Sequence, residues 1–195
     1  MSTLSIIERW VEEGTKVLDL GCGNGEILFE LKKTKRITGL GVEIEENNIE
    51  QCLLKNINVI EQNIDDGLIN FSNNSFDVVI LSQTIQVLKN PNTALEEITR
   101  IGKTCIVTIP NFGHWRLRIG LLISGKMPVT NPLPDSWYGT PNIHLCTLRD
   151  FENLCNDLSI SIEERVAINS GNKNKWYLNI WPNLFSASAI YKISK

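Results

Sequence analysis

Apolar and β-branched runs alternate with segments of helical periodicity along the first 110 residues of the chain. The runs predict five strands, at residues 16–20, 37–43, 59–62, 76–82 and 104–110. The intervening segments predict helices at residues 25–33, 45–55 and 91–101. Because strands that alternate with helices usually pair in parallel, this pattern indicates an α/β fold.

Further elements are predicted at both ends of the chain. Ile6, Ile7 and Trp10 share one face of a helix over the first dozen residues. Residues 160–168 and 188–193 predict a final pair of strands, with a loop over residues 169–184 between them. We therefore expect one domain over residues 1–195, with five parallel strands and a final strand pair.

The alternation breaks between residues 111 and 146. An apolar helix is predicted at residues 115–124, and the segment after it is too rich in proline for regular structure. Thr147 and Asp150 then have the spacing of a capping box, which predicts the start of another helix. We interpret residues 111–146 as a cap on the substrate side, inserted after the fifth strand.

The composition is that of an ordinary folded domain with little net charge. The 195 residues include 19 Lys+Arg and 22 Asp+Glu, a formal net charge of −3, which argues against a protein that mainly grips nucleic acid. The five cysteines form no CxxC pair, which is typical of a reducing compartment. Because we find neither an export leader nor a membrane-spanning run, we expect a cytoplasmic protein without membrane contact.

The segment DLGCGNG, residues 19–25, carries the clearest chemical signal, between the first predicted strand and helix. Gly21 and Gly23 allow a tight turn and a close backbone approach to a ligand. The spacing GxGxG differs from the GxGxxG of dinucleotide sites, where a pyrophosphate lies at the helix N-terminus. Asp19 disfavours a phosphate and favours a cation, so the charges fit S-adenosylmethionine, which has a sulfonium, an ammonium and no phosphate.

Glu43 supports a nucleoside-type site. It ends the second predicted strand, 22 positions after Gly21, where a carboxylate can accept hydrogen bonds from ribose hydroxyls. Either feature alone is compatible with ordinary turn chemistry, but the two together predict a nucleoside site. An NAD-dependent oxidoreductase is the alternative that the glycine spacing disfavours.

The same residues resemble a known fold. DLGCGNG, Glu43, the run at 75–80 and Pro110 look like the class I S-adenosylmethionine-dependent methyltransferase fold. Four further segments closely resemble the methionine biosynthesis protein MetW family: ILSQTIQ at 80–86, PNFGHWR at 110–116, MPVT at 127–130 and TPNIHLCT at 140–147. The resemblance covers nearly the whole chain and implies a Rossmann-like, mostly parallel seven-stranded sheet whose last strand is antiparallel.

The resemblance also implies cofactor contacts at the carboxyl ends of the first four strands. These fall on Asp19, Gly21, Cys22, Gly23, Glu43, Ile44, Asn63, Ile64 and Ser82. Asp19 and the two glycines would line the methionine end of the cofactor, and Ser82 and Gln83 would face the same moiety.

The nucleoside end of the cofactor is implied in the same way. Glu43 would hold the ribose, and Ile44 would pack on the adenine face. Asn63 stands where this fold usually has an adenine-contacting Asp, and its amide oxygen can still accept a hydrogen bond. Asp65 is the alternative residue for that contact.

Two histidines are candidate groups for chemistry in the cap. His114 and His144 lie in segments that frame the predicted crevice, where either could take a proton from a nucleophile or hold the cap in place. Since they are far apart in sequence and the chain has no CxxC pair, we expect no metal site.

The cap region also combines basic and aromatic residues. Residues 98–134 contain no carboxylate and five positive charges: Arg100, Lys103, Arg116, Arg118 and Lys126. Over the crevice these would suit an anionic substrate or an acidic partner surface. In the alternative, Arg116 and Arg118 are solvated while four apolar helix residues pack inward: Trp115, Leu117, Leu121 and Leu122. The loop aromatics could form a lid or an interface, or pack on the sheet edge: Trp137, Tyr138, Trp176, Tyr177 and Trp181.

Two functions follow from the resemblance. One is an enzyme that transfers the sulfonium methyl to a small molecule, mainly by holding the reactants in line. The other is a non-catalytic accessory or regulatory subunit of the homoserine O-acyltransferase of methionine biosynthesis, sensitive to S-adenosylmethionine or S-adenosylhomocysteine. The resemblance to the methyltransferase fold favours the first function. The lack of an unambiguous catalytic acid or base favours the second, although methyl transfer does not require one.

Overall fold

The computed structural model describes residues 2–130, 135–169 and 177–195. Within these ranges the strands are β1 Lys16–Leu20, β2 Thr38–Glu43, β3 Asn58–Glu61, β4 Phe76–Ser82, β5 Gly102–Pro110, β6 Ser161–Ile168 and β7 Ser188–Ser194. The helices are α1 Thr3–Trp10, α2 Glu26–Lys35, α3 Glu46–Leu54, α4 Pro91–Ile101, α5 Trp115–Ser124, α6 Leu148–Asp157, α7 Tyr177–Ile180 and α8 Pro182–Phe185. Short 3₁₀ turns lie at Ile64–Asp66 and Ile85–Val87.

The strands form one seven-stranded sheet in the order β3-β2-β1-β4-β5-β7-β6. The first five strands are parallel, and β7 runs antiparallel to both β5 and β6. The predicted α/β sheet with an antiparallel last strand is therefore confirmed. Because parallel strands end at the same edge, the ends of β1, β2, β4 and β5 meet at what we call the carboxyl edge. The opposite edge is the amino edge.

Helices cover both faces of the sheet, which explains why the central strands are apolar throughout. On β1, Leu18 and Leu20 belong to the core that includes residues of α4 and α6. Val17 belongs to the core on the other face, with residues of α1, α2 and α3. Successive side chains point to opposite faces of a strand, so Asp19 shares the face of Val17.

The sequence prediction of the elements is wrong in one place. Residues 169–184 are expected to form a loop, but α7 lies within them and α8 begins within them. Pro182 occupies the first turn of α8, where its missing N–H costs no hydrogen bond. By contrast, the capping box is confirmed, since Thr147 and Asp150 each accept a hydrogen bond from the other's backbone N–H.

The burial of α1 on the sheet is confirmed as well, with Ile6, Ile7 and Trp10 in the core. Two predicted features lie outside the described residues: the prolines at 132 and 134, and Trp176. In the described parts of the chain, no helix has the length and apolarity needed to cross a lipid bilayer.

Candidate functional site

The turn between β1 and α2 brings backbone groups to the surface of the carboxyl edge. Gly21 and Gly23 have φ angles of 68° and 54°, in the left-handed region that favours glycine. A Cβ on Gly21 would lie 2.6 Å from the Thr84 hydroxyl, so the turn is packed tightly there. A Cβ on Gly23 would meet nothing within 4 Å. The turn therefore has a closed side at Gly21 and an open side at Gly23.

Glu43, at the end of β2, ties the neighbouring turns together. Its carboxylate accepts hydrogen bonds from the N–H of Gly23 at 2.7 Å, of Ile44 at 2.8 Å and of Glu45 at 3.0 Å. A carboxylate has about four lone-pair sites, so about one remains for a ligand. With these bonds in place, Glu43 can accept one ribose hydroxyl, and a bidentate contact with both hydroxyls requires one backbone bond to open.

Asp19 is a buried carboxylate without a hydrogen-bond partner among the described residues. Its side chain is 1% exposed, and neither carboxylate oxygen has a donor within reach. Burial, together with the nearby charge of Glu43, raises the pKa of Asp19 to about 7. Leaving a buried polar group unpaired is costly, and native structures rarely do so without a functional reason. A cationic ligand group would supply the missing partner, so these residues fit the sulfonium and ammonium of S-adenosylmethionine.

The ends of β4 and β5 form the next part of the site. The Ser82 hydroxyl lies 3.1 Å from that of Thr108, which also accepts a hydrogen bond of 2.8 Å from the Gln83 N–H. Gln83 has a φ of 58°, a strained angle for a residue with a Cβ, and such strain clusters at functional sites. The role of Thr108 was missed by sequence reasoning, and its one signal was a polar residue near the end of an apolar strand.

The residues implied to contact adenine differ in their exposure and in their hydrogen bonds. Ile44 is 55% exposed at the end of β2, as an apolar surface for a base would be. Asn63 caps the 3₁₀ turn by accepting a hydrogen bond of 3.0 Å from the Asp65 N–H. Asp65 itself accepts one of 2.9 Å from the Lys89 N–H. Ile64 packs against the core. Both polar residues thus hold the local backbone.

The side chain of Cys22 points away from the turn surface. Its sulfur is buried 3.9 Å from that of Cys52, and the Cys52 thiol donates to the Gly23 carbonyl at 3.2 Å. Burial is the main cause that raises the pKa of the Cys22 thiol. Cys22 can therefore offer a ligand its backbone groups but not its thiol.

The two histidines have different surroundings. The His114 ring accepts a hydrogen bond from the Arg116 N–H at 3.3 Å and caps the N-terminus of α5. Burial and the charge of Arg116 lower the pKa of His114, against a hydrogen bond to the Phe185 backbone that raises it. This geometry supports a structural role for His114.

His144 instead has an unpaired atom near the site. Its N–H donates to the Gln86 carbonyl at 3.0 Å, as does that of Ile143 at 2.9 Å. Within the described residues, His144 Nε2 and Gln86 Oε1 are buried without hydrogen-bond partners. Sequence reasoning missed Gln86 as a site residue, and only its place inside the segment ILSQTIQ pointed to it.

The cap, residues 111–146, is closed at its base. The Phe112 N–H donates to the Cys146 carbonyl at 3.1 Å, which joins the start and the end of the cap. Asn111 is buried, and its amide donates to the carbonyls of Asn183 and Ser186 at 3.0 and 2.7 Å. The cap therefore leaves and re-enters the fold at one anchored point.

Two predictions about the cap region are wrong. Of the four α5 residues expected to pack inward, only Leu117 is buried, and the exposed ones are Trp115, Leu121 and Leu122. Arg100 and Lys103 do not lie over the crevice, because α4 ends and β5 begins at the amino edge. There they pair with Glu97 at 2.7 Å and with Asp77 at 2.8 Å. Three of the five basic residues thus remain in the cap.

The loop aromatics that the structure describes are exposed rather than packed on the sheet edge. Trp137 and Tyr138 contact each other edge to face at 5.6 Å, and both are largely in solvent, as is Trp181. The Tyr177 side chain is outside the described residues. Within the described ranges, no three His, Cys, Asp or Glu side chains come together as a metal-ion site would require.

The sheet order and the glycine turn at its carboxyl edge define the class as the Rossmann-like fold of S-adenosylmethionine-dependent methyltransferases. Such an enzyme from Methanosarcina mazei superposes with a TM-score of 0.69 at 16% identity, over 97% of this chain and 96% of its own. The [4+2]-cyclase SpnF superposes with a TM-score of 0.69 at 15% identity, over 98% of this chain and 80% of its own. The chain belongs to the methionine biosynthesis protein MetW family, whose profile matches residues 2–193.

A curated relative places this family beside a second activity. The chain is 33% identical over 177 residues to the bifunctional methionine biosynthesis protein MetXA/MetW of Rhodopirellula baltica. The match covers 84% of this chain but only 28% of the relative. The family resemblance seen in the sequence is confirmed, and in this relative a MetW part and a MetXA part share one polypeptide.

Proposed function

We propose that the protein binds S-adenosylmethionine at the carboxyl edge and acts as an accessory subunit of the homoserine O-acyltransferase of methionine biosynthesis. The observation that carries the cofactor assignment is Asp19, a buried carboxylate without a partner in the described residues, two positions before the first glycine of the turn. A dinucleotide is less suitable, because its pyrophosphate would meet the carboxylates of Asp19 and Glu43.

Each part of the cofactor has a group of this chain to meet it. Asp19 would pair with the cationic methionine end, Glu43 would accept from one ribose hydroxyl, and Ile44 would cover the adenine. The bound cofactor supplies a methyl group on a positively charged sulfur, which is electrophilic without help from the protein. The residues of the chain would therefore bind and orient the cofactor, and the backbone of Gly23 would lie against it.

The accessory role is supported by the fused relative and by the contacts between site and cap. A fusion keeps two activities together, which is useful when their parts also associate as separate chains. Gln86 connects the end of β4 with the cap through its carbonyl, which accepts from Ile143 and His144. A ligand at the carboxyl edge can thereby bias the cap, and any effect on partner affinity must act equally in the reverse direction.

Calorimetry in two buffers of different ionisation enthalpy tests the cofactor assignment. At pH 6.5, where much of Asp19 is protonated given its pKa of about 7, binding of S-adenosylmethionine should release protons as the carboxylate ionises beside a cation. Asp19→Asn should abolish this proton release and weaken binding at least tenfold. Tighter binding of NAD than of S-adenosylmethionine would contradict the assignment.

Co-purification with the homoserine O-acyltransferase tests the accessory role. The two proteins should form a complex on sizing, and the acyltransferase rate should change on complex formation. S-adenosylmethionine should alter the affinity between the proteins. An acyltransferase whose rate and elution volume are the same with and without this protein would rule the role out.

Methyl transfer to a small molecule is the second candidate function. The unpaired polar atoms of His144 and Gln86 favour it, because they could recognise a polar acceptor or take its proton. The fold itself does not decide, since a [4+2]-cyclase shares it. Incubation with labelled S-adenosylmethionine and polar acceptors should transfer label in wild type and less in His144→Ala. Binding without any transfer would count against this function.

A further inference from the structure

Apolar residues project from helix α5 in nearly every direction, with Arg116 and Arg118 between them, but the helix is buried on only one side. Among its ten residues, Leu117 is buried, whereas Leu122 and Ile123 are 84% and 79% exposed. A helix that is hydrophobic around its whole circumference is normally surrounded by other apolar surface. The sequence of α5 therefore suits a more complete enclosure than this chain provides in its described residues.

Four of the exposed apolar residues of α5 form a continuous stripe, and Leu121, which is also exposed, lies outside it. Trp115, Ile119, Leu122 and Ile123 have the spacing i, i+4, i+7 and i+8, which places them on one face of a helix. Leu117 lies on the opposite side and anchors α5 to the protein. We call these four residues the α5 stripe. This pattern is the one by which a helix inserts into a hydrophobic groove of a partner.

The charges around the stripe indicate what the partner must offer. Arg116 and Lys126 are exposed beside it, and residues 98–134 contain no carboxylate. Arg118 is held to the cap, because its guanidinium donates to the Gly113 carbonyl. A complementary groove would therefore have an acidic rim. A second copy of this chain fits poorly, since a twofold interface would set the same basic residues against each other.

An anionic membrane fits less well than a protein. Membrane-surface recognition by basic residues usually uses clusters of four to eight Lys and Arg. The cap has Arg116, Arg118 and Lys126, and one of these is committed to Gly113. The stripe, by contrast, has a Trp and three branched aliphatic residues in groove-binding order, and buried Trp side chains are frequent anchors of protein interfaces.

We propose that the α5 stripe docks into an apolar, acid-rimmed groove on the homoserine O-acyltransferase. This proposal rests on the accessory role proposed above and adds the surface through which that role is exercised. The Rhodopirellula baltica relative, which joins MetXA and MetW in one chain, supports this partner over other proteins. Docking on the cap places the acyltransferase next to the carboxyl edge, so occupancy of the cofactor site can influence the contact.

The double substitution Leu122→Glu and Ile123→Glu tests the surface. Both side chains are exposed, so the variant should fold, and its melting temperature and its affinity for S-adenosylmethionine should stay at wild-type values. Affinity for the purified acyltransferase of the same organism, measured by calorimetry, should fall at least thirtyfold. The matched control is Ile69→Glu, since Ile69 is 93% exposed and precedes β4 at the amino edge. The affinity of this control variant for the acyltransferase should stay within twofold of wild type.

The outcomes separate failure of the surface from failure of the role. If wild type binds the acyltransferase and the double variant binds equally well, the stripe is not the docking surface, while the accessory role stands. If wild type does not bind, both proposals are overturned. Self-association on sizing that is lost in the double variant would assign the stripe to a second copy of the chain. Binding to vesicles of anionic phospholipid that is lost in the double variant would assign the stripe to a membrane. Either result would overturn the acyltransferase as its occupant.

Discussion

The glycine turn after β1 and helix α5 after β5 both lie at the carboxyl edge, yet they differ in how they are held. Glu43 binds three backbone N–H groups around the turn, and Thr84 packs against Gly21. Helix α5 is anchored by Leu117 and leaves most of its apolar surface in solvent. Among the described residues, the unpaired groups of the first region are the two carboxylate oxygens of Asp19, whereas those of α5 are whole apolar side chains. This difference is why we propose a small ligand for the first region and a protein partner for the second.

The largest effect is expected from the pH dependence of Asp19. In the unfolded chain this carboxyl ionises near its ordinary pKa of 3.8, but in the folded protein it stays protonated up to about pH 7. Between these values the unfolded state binds fewer protons, so the free energy of unfolding falls as pH rises and levels off above pH 7. The loss amounts to at most about 4 kcal/mol.

Asp19→Asn should remove this loss of stability, because the amide of asparagine cannot ionise. Urea titrations at pH 5, 6, 7 and 8 should find the variant progressively more stable than wild type as pH increases. The control is Asp66→Asn, a change at an exposed site, whose free energy of unfolding should depend on pH as that of wild type does. If the free energy of unfolding changed with pH in the same way for wild type and Asp19→Asn, Asp19 would not titrate as its burial requires.

Glu43→Ala should have the next largest effect. It leaves the N–H groups of Gly23, Ile44 and Glu45 without their acceptor, at a cost of about 3 kcal/mol in the free energy of unfolding. It should also prevent saturable binding of S-adenosylmethionine. Glu45→Ala, an exposed neighbour, should change stability by less than about 0.5 kcal/mol. Equal stabilities of the two variants in urea would mean that the three bonds do not hold the turn.

The two glycines should separate stability from binding. Gly21→Ala combines a left-handed φ with a Cβ that lies 2.6 Å from Thr84, so it should destabilise the fold by about 2–3 kcal/mol. Gly23→Ala has the backbone cost alone, about 1 kcal/mol, but its methyl group occupies the open side of the turn. Denaturation should therefore show that Gly23→Ala is the more stable of the two variants. Calorimetry should show that it binds S-adenosylmethionine at least tenfold more weakly than Gly21→Ala does.

The smallest effects are expected on α5. Leu117→Ala should cost about 2 kcal/mol, since it removes the buried anchor of the helix. Leu122→Ala should cost less than about 0.5 kcal/mol, because this side chain is in solvent. Both should bind S-adenosylmethionine like wild type. A large loss of stability in Leu122→Ala would mean that the stripe is already covered within the chain.

Much of the sheet could be predicted because its central strands are buried on both faces. Residues 16–20 and 76–82 were predicted with the observed bounds, and the other strands differ by one or two residues. β5 begins at Gly102 instead of residue 104, because Gly102 pairs with Phe76 at the start of β4. A run of apolar residues between polar turns identifies such a strand regardless of which side chain faces which helix.

The orientation of α5 could not be predicted for the opposite reason. With apolar residues in nearly every direction and two arginines between them, the helix carries no periodic signal that selects an inward face, so Leu117 could not be distinguished from Leu121 or Leu122. The bonds of Glu43 were equally hidden, since they depend on how the turns after β1 and β2 approach each other. Hydrogen bonds that join turns distant in sequence leave no pattern of hydrophobic and polar positions.

The hydrogen bond between Phe112 and Cys146 brings the two ends of the cap together. Because residues 111–146 start and finish close to each other, we expect changes in the length of this segment to leave the register of the strands unchanged. Under the docking proposed above, variation within the family should concentrate in the cap, while the turns at the carboxyl edge stay the same. In engineering terms, exchanging caps between relatives at positions 112 and 146 would be the simplest way to transfer partner specificity onto this sheet.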